Sequence, residues 1–152
     1  MPNTETVDSR TDHYEYAAKV VCGPLKGVPK TVPLNSGTYY TAINIHNPGP
    51  AEAKFRVKVA VALPGQSGPV SAFHDFTLRG DGALELDCPL IHKLAEQAQD
   101  SFIKGFAVIQ CKTRLDVVAV YTAGGLDNAA LVQTMHMERV AGTGAVFHQN
   151  TS

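Results

Sequence analysis

The sequence predicts an all-β fold: an antiparallel β-sandwich or a jelly-roll-like barrel with one short helix. Three observations carry this. Residues 54–63 (KFRVKVAVAL) alternate Phe55, Val57, Val59, Val61 and Leu63 with Lys54, Arg56, Lys58, Ala60 and Ala62, the period of a strand with one wet face. Short segments rich in Val, Ile, Tyr and Phe recur along the chain, separated by Gly, Pro and Asn turn signals. Only one segment has convincing helical periodicity, so strands must build the layers.

Residues 1–12 are mostly polar or acidic with little to bury, which predicts a mobile N-terminal arm; the domain proper is expected over residues 13–140. Residues 14–22 (YEYAAKVVC) read as the first strand, closed by Gly23-Pro24. Pro24, Gly27, Pro29, Pro33 and Gly37 then break both helix and central strand and predict a long stiffened loop, a length often tied to function. Residues 39–47 (YYTAINIHN) form the next strand, with Thr41, Ile43 and Ile45 on one face and Tyr40, Ala42, Asn44 and His46 on the other. Asn47-Pro48-Gly49-Pro50 ends it and leads into the strand at Lys54, which the turn-forming residues 64–69 close. Residues 72–79 and 83–88 flank Gly80-Asp81-Gly82 as a hairpin.

Pro89 suits a first helical position, and Leu90, Ile91, Leu94 and Ala98 share a face, so the helix is expected over residues 89–99. Residues 105–111 and 117–123 are apolar on both faces and predict central strands. Residues 130–139 (ALVQTMHMER) alternate as a last strand, with helix the competing reading because Leu, Gln and Met favour helices. The tail, residues 141–152, is small and polar and is expected to be flexible.

A chain of 152 residues suits a single domain and a core that needs no staples. Thirteen basic and fourteen acidic side chains give a net charge of −1, so no global field draws polyanions or anionic lipid; nucleic acid is not the expected partner. The three cysteines, Cys22, Cys88 and Cys111, lie far apart with no C-x-x-C pair, which suggests buried thiols in place of disulfides or zinc ligands. With no signal-like leader and no apolar run of membrane length, a reduced, cytoplasmic protein without membrane contact is expected.

No catalytic motif is complete. His136-x-Glu138 has the H-x-E form of zinc deaminases but lacks P-C-x-x-C, and neither a G-x-S-x-G elbow nor a phosphate-binding Gly loop occurs. His46, His136 and Glu138 are the sharpest metal candidates, yet no His pair fixes a geometry, so neither metal nor cofactor is expected. Asp75, Asp81, Glu85 and Asp87 suggest paired carboxylates, weighed against the solvated side of an edge strand. Lys54, Arg56 and Lys58 form a basic stripe, read as a solvated face for want of interleaved aromatics. The most ligand-like set is Tyr40, Asn44 and His46 beside Tyr39, since aromatic faces next to amide and imidazole groups suit hydroxyl-rich molecules. A polar pocket is expected there, completed by Asp127 and Asn128 after Gly124-Gly125.

From Tyr39 onward the order of features resembles the sensory-rhodopsin-transducer-like superfamily of small prokaryotic β-sandwich domains. Asn44-Ile45-His46-Asn47-Pro48-Gly49, residues 55–63, Phe106-Ala107-Val108-Ile109-Gln110 and residues 117–123 carry it, followed by Gly125-Leu126-Asp127 and Asn128-Ala129-Ala130-Leu131. About two thirds of the chain is covered. The resemblance implies an antiparallel sandwich, a homo-oligomer, and small-molecule binding or signal relay with sugar-like ligands. It also puts Leu126, Asp127 and Asn128 at the position of a polar motif between the last strands. The acidic arm, the Pro-rich loop and the tail depart from that family. The expectation is a non-enzymatic, homo-oligomeric module that binds a small polar ligand, with a structural or scaffolding assembly protein as the alternative.

Overall fold

The computed structural model describes residues 10–26, 34–126 and 132–148. Among these residues ten strands form one continuous antiparallel sheet, which does not close into a barrel. The sheet folds over along its longest strand, β1 (Arg10–Leu25), into two facing halves. In the first half β1 pairs with β7 (Ile103–Cys111), and β7 with β3 (Ala53–Leu63); β3 also holds β4 (Gln66–Val70) and β5 (His74–Leu78). The second half carries β2 (Gly37–His46) between β6 (Ala83–Leu86) and β8 (Asp116–Gly124), with β9 (Val132–Arg139) outermost. Of the two architectures expected, the sandwich-like one forms.

The alternation in residues 54–63 sets its register. Phe55, Val57 and Val59 are buried, Lys54 and Arg56 are exposed and Lys58 is half-buried. Their inward side chains meet Ile109 and Ala107 of β7, Tyr16, Ala18 and Val20 of β1, and Ile43, Ile45, Val117 and Ala119 from the opposite half in one core. Phe55 and Phe76 stack with centroids 5.5 Å apart.

Gly23-Pro24 does not close β1. Gly23 sits at φ +105°, and a side chain there would collide with Ser101 O, so glycine lets the strand bend and go on to pair Gly23–Leu25 with β2. Two further segments are strands where turn or tail was expected. Pro64-Gly65 makes the turn, with Gly65 at φ +71°, and the chain returns at once as β4. Thr143–His148 forms β10 against residues 10–15 of β1, because that stretch of β1 has a free edge on the side away from β7. The expected tail is therefore sheet through His148, and the expected arm is sheet from Arg10.

The helix α1 (Cys88–Leu94) is shorter than the periodicity predicted. Asp87 caps it by accepting from Leu90 N at 3.0 Å, and Glu96, at φ +56°, takes the chain out of helix just after the Ala95 C-cap. Ala98 is exposed, so that position plays no part in the buried face. Buried His92 bridges Cys88 O and Ser101 O at 2.8 Å each. Asn47, also buried, donates to Ala51 O and Arg79 O and accepts from Gly49 N, tying the β2–β3 turn to the β5–β6 turn.

The expectation of three reduced thiols is overturned. Cys22 and Cys88 form a disulfide with a Cα–Cα distance of 5.6 Å, across a sequence separation of 66; Cys111 is the free, buried thiol. The bend at Gly23 brings the end of β1 beside the start of α1, a proximity no sequence spacing signals. The argument for a reducing compartment falls with it. No helix among the described residues is long and apolar enough to cross a membrane.

Candidate functional site

Between its pairing with β10, which ends at Glu15, and its pairing with β2, which begins at Gly23, β1 has no sheet partner on one edge among the described residues. Thr41 bridges that gap, its hydroxyl accepting from Val21 N and donating to Val21 O at 2.9 Å each. Beside this edge lies a cleft of about 350 Å³. Lys19 and Val21 line one side; Tyr121, Thr134, His136 and Glu138 line the other, with Leu34, Tyr39 and Tyr40 also on its walls.

The register explains the far wall. Tyr121 lies opposite His136 and Ala119 opposite Glu138, so these side chains share the inward face of the second half, where β9 overhangs the core. The Tyr121 and His136 rings stack with centroids 6.2 Å apart and 15° between planes. His136 Nε2 and Glu138 Oε2 stand 3.8 Å apart. Tyr39 donates its hydroxyl to Asn35 O and meets Phe102 edge-on at 5.9 Å.

Tyr121 is the most perturbed group of the cleft. Burial, and secondarily the Glu138 charge, push its phenol up to about 12. Its enclosed oxygen lies near the Lys19 main chain, which offsets part of that rise, but makes no hydrogen bond of normal geometry. Lys19 is held below the ordinary lysine value by burial, then by the neighbouring Lys104 charge. The cleft thus offers aromatic faces, a hydroxyl needing a partner, an ammonium and an imidazole–carboxylate pair.

Of the sequence-predicted set, Tyr40 lines this cleft; Asn44 and His46 do not. All three share the outward face of β2, but Tyr40 and His46 are about 20 Å apart along an extended strand. Gly124 pairs with Thr38, at the Tyr40 end. His46 instead joins a charged cluster at the other end: Nε2 is 2.9 Å from Asp81 Oδ1, Nδ1 is 3.4 Å from Asp116 Oδ2, and Asp116 Oδ1 is 3.6 Å from Arg139 Nη1. Hydrogen bonding to Asp81, then to Asp116, raises the His46 pKa above 6.5. Asp127 and Asn128 lie outside the described residues.

The other candidates have local duties. His46 lies on the outward face and His136 on the inward one, so the supposed metal trio is not brought together; among the described residues no group of three or more His, Cys, Asp or Glu gathers to hold a metal. Asp81 bonds His46, Asp87 caps α1, and Asp75 stands opposite Arg56. Sequence reasoning passed over Tyr121, Lys19 and Thr134; a lone tyrosine inside the aliphatic run of residues 117–123 was the available signal.

No protein-family model matches this chain, and no curated protein does. Among solved structures it is similar to the crystal structure of Thermotoga maritima 1070, with a TM-score of 0.52 and 10% sequence identity over 88% of this chain and 95% of that one. At that identity the likeness concerns the fold alone.

Proposed function

We propose that the protein is a non-enzymatic β-sandwich module that binds a small polar, sugar-like molecule in the cleft between β1 and β9 and works as a homo-oligomer. The observation that carries this reading is the Tyr121 hydroxyl, enclosed without a normal hydrogen bond beside two further tyrosines on the cleft wall. A ligand hydroxyl supplies the missing partner while the rings cover its apolar face. Of the carboxylates considered for catalysis, Asp87 caps α1 and Asp81 pairs with His46, which favours binding over turnover. Signal relay, as the sequence resemblance implies, is the role for which such binding is suited.

Self-association is supported by the outward face of the second half. Tyr40, Thr122 and Met135 align across β2, β8 and β9, with Met137 beside them, and Tyr40, Met135 and Met137 are 50%, 70% and 63% exposed. Sedimentation at micromolar concentration tests this, and a monomer overturns it. For the cleft, a thermal-shift screen over sugars and nucleosides, repeated on Tyr121→Phe, is decisive: a shift of parent but not variant supports the site. A ligand shifting both equally places binding elsewhere.

A further inference from the structure

Although net charge is close to zero, the fold gathers basic side chains on one face. Lys54, Arg56 and Lys58 of β3, Lys104 of β7 and Lys19 of β1 all lie on the outward face of the first half, where Glu15 and Asp75 are the acidic residues. Asp81, Glu85, Asp87, Asp116 and Glu138 belong to the turn, helix cap and strands of the second half. Glu15 on the basic face is already engaged, accepting from Gln110 Nε2 at 2.7 Å while Gln110 Oε1 accepts from Arg56 Nε at 2.9 Å.

The same face carries the aromatic rings that the sequence did not place there. Phe106 projects from the central strand β7, flanked across the sheet by Ala60 and Lys19, with Ala17 and Val108 in the next row. Among such small neighbours the ring stands proud, 43% exposed, with the Lys19 ammonium 5.1 Å from its centroid. Phe73 reaches over the sheet edge, where Arg56 Cζ and Lys58 Nζ lie 4.1 and 4.7 Å from its ring. Burial, and after it the Lys104 charge on the neighbouring strand, lower the Lys19 pKa, a repulsion that a bound anion relieves.

The geometry points to this face as a binding surface for single-stranded nucleic acid, with phosphates tracking the Arg56–Lys58–Lys104 cations and a base stacking on Phe106. A sheet face with an exposed aromatic on its central strand and cations around it supplies both halves of that recognition. Lys19 borders both this face and the tyrosine cleft, whereas Phe106, Lys58 and Lys104 do not line the cleft, so variants at those three test this face alone.

Fluorescence anisotropy with a labelled oligothymidylate of about twenty nucleotides decides it. The expected result is binding that weakens with salt, with a log–log slope of about −2 to −3 for three or four phosphate contacts. Phe106→Ala should weaken binding about 5- to 100-fold. Lys58→Glu combined with Lys104→Glu should abolish binding and flatten the salt slope. Phe106→Trp should preserve affinity and guards against a variant that loses the fold, as do thermal midpoints matching the parent. The proposal is overturned by absence of binding at about 50 mM salt, by a duplex of equal length binding as tightly, or by Phe106→Ala binding like the parent, which would leave charge alone.

Discussion

The Thr41 hydroxyl holds both main-chain groups of Val21, accepting from its amide and donating to its carbonyl at 2.9 Å each. It stands in for a missing ladder rung where β1 passes from one half of the sandwich to the other. Thr41→Val keeps the shape and strands both groups of Val21, so it should cost about 1–3 kcal/mol in urea denaturation. Thr41→Ser should recover most of this. A valine variant as stable as the parent would show that the two halves need no such link.

Val59 and Lys58 are neighbours with opposite fates. Val59 is buried against Ala107, whereas Lys58 covers Phe73 from outside. Val59→Ala should cost about 1–3 kcal/mol through lost burial and cavity formation, and Lys58→Ala about 0.5 kcal/mol. Similar small losses from both would contradict the register.

The Cys22–Cys88 bridge closes a loop over a sequence separation of 66. Chain-entropy arguments put its contribution at about 4 kcal/mol, and strain or residual structure lower such figures, so reduction should cost about 2–4 kcal/mol. Thiol titration in denaturant is the direct check. Of the three cysteines only Cys111 should react before reductant is added. Three reactive thiols in protein made under oxidising conditions would refute the pairing.

His46 makes stability depend on pH with a definite sign. Asp81, and after it Asp116, favour the protonated ring, so its folded pKa lies above 6.5. The stabilisation is complete below the unfolded value and is lost as pH climbs through the higher folded one. Urea midpoints should therefore decline from about pH 6 to about pH 8, and His46→Gln should shrink that decline. An unchanged slope in the variant would assign the dependence to another group.

What the sequence discloses and what it conceals divide along the reach of the interaction. The alternation of residues 54–63 announced that Phe55, Val57 and Val59 go inward because a strand's period is local, but it overreached at the strand's end, where Val61 is half-buried and Leu63 is exposed. The turn at Gly80-Asp81-Gly82 was equally plain, but the hairpin expected around it does not form: β5 pairs with β3 and β6 with β2, so the turn carries the chain from one half to the other. By contrast, the cleft is assembled from β1, β2, β8 and β9, and of the anticipated set Tyr39 and Tyr40 line it while Asn44 and His46 do not. Nothing in the order of residues says that Tyr121 will stack on His136 or that Cys22 will meet Cys88, since both depend on where the sheet folds over. The basic stripe looks bare of aromatics in the sequence because Phe73 and Phe106 come beside it only in the folded structure. Gly23-Pro24 misled for the opposite reason: a local stop signal was overridden by pairing beyond it.

The central place of β1 has a kinetic corollary. Its partners β7 and β10 are made long after it, with Glu15 paired to Gln110 and to Thr143. Except where Gly23–Leu25 pairs with β2, a nascent β1 therefore waits with its edges bare for strands made much later. Loop-closure entropy has to be met before those pairings reward it, which places refolding in the slow, millisecond-to-second range of sandwich proteins. During that wait β1 can dock into a neighbouring molecule's unfinished sheet. Strand exchange between chains, more than loss of the finished fold, is then the route by which this protein would misassemble when concentrated.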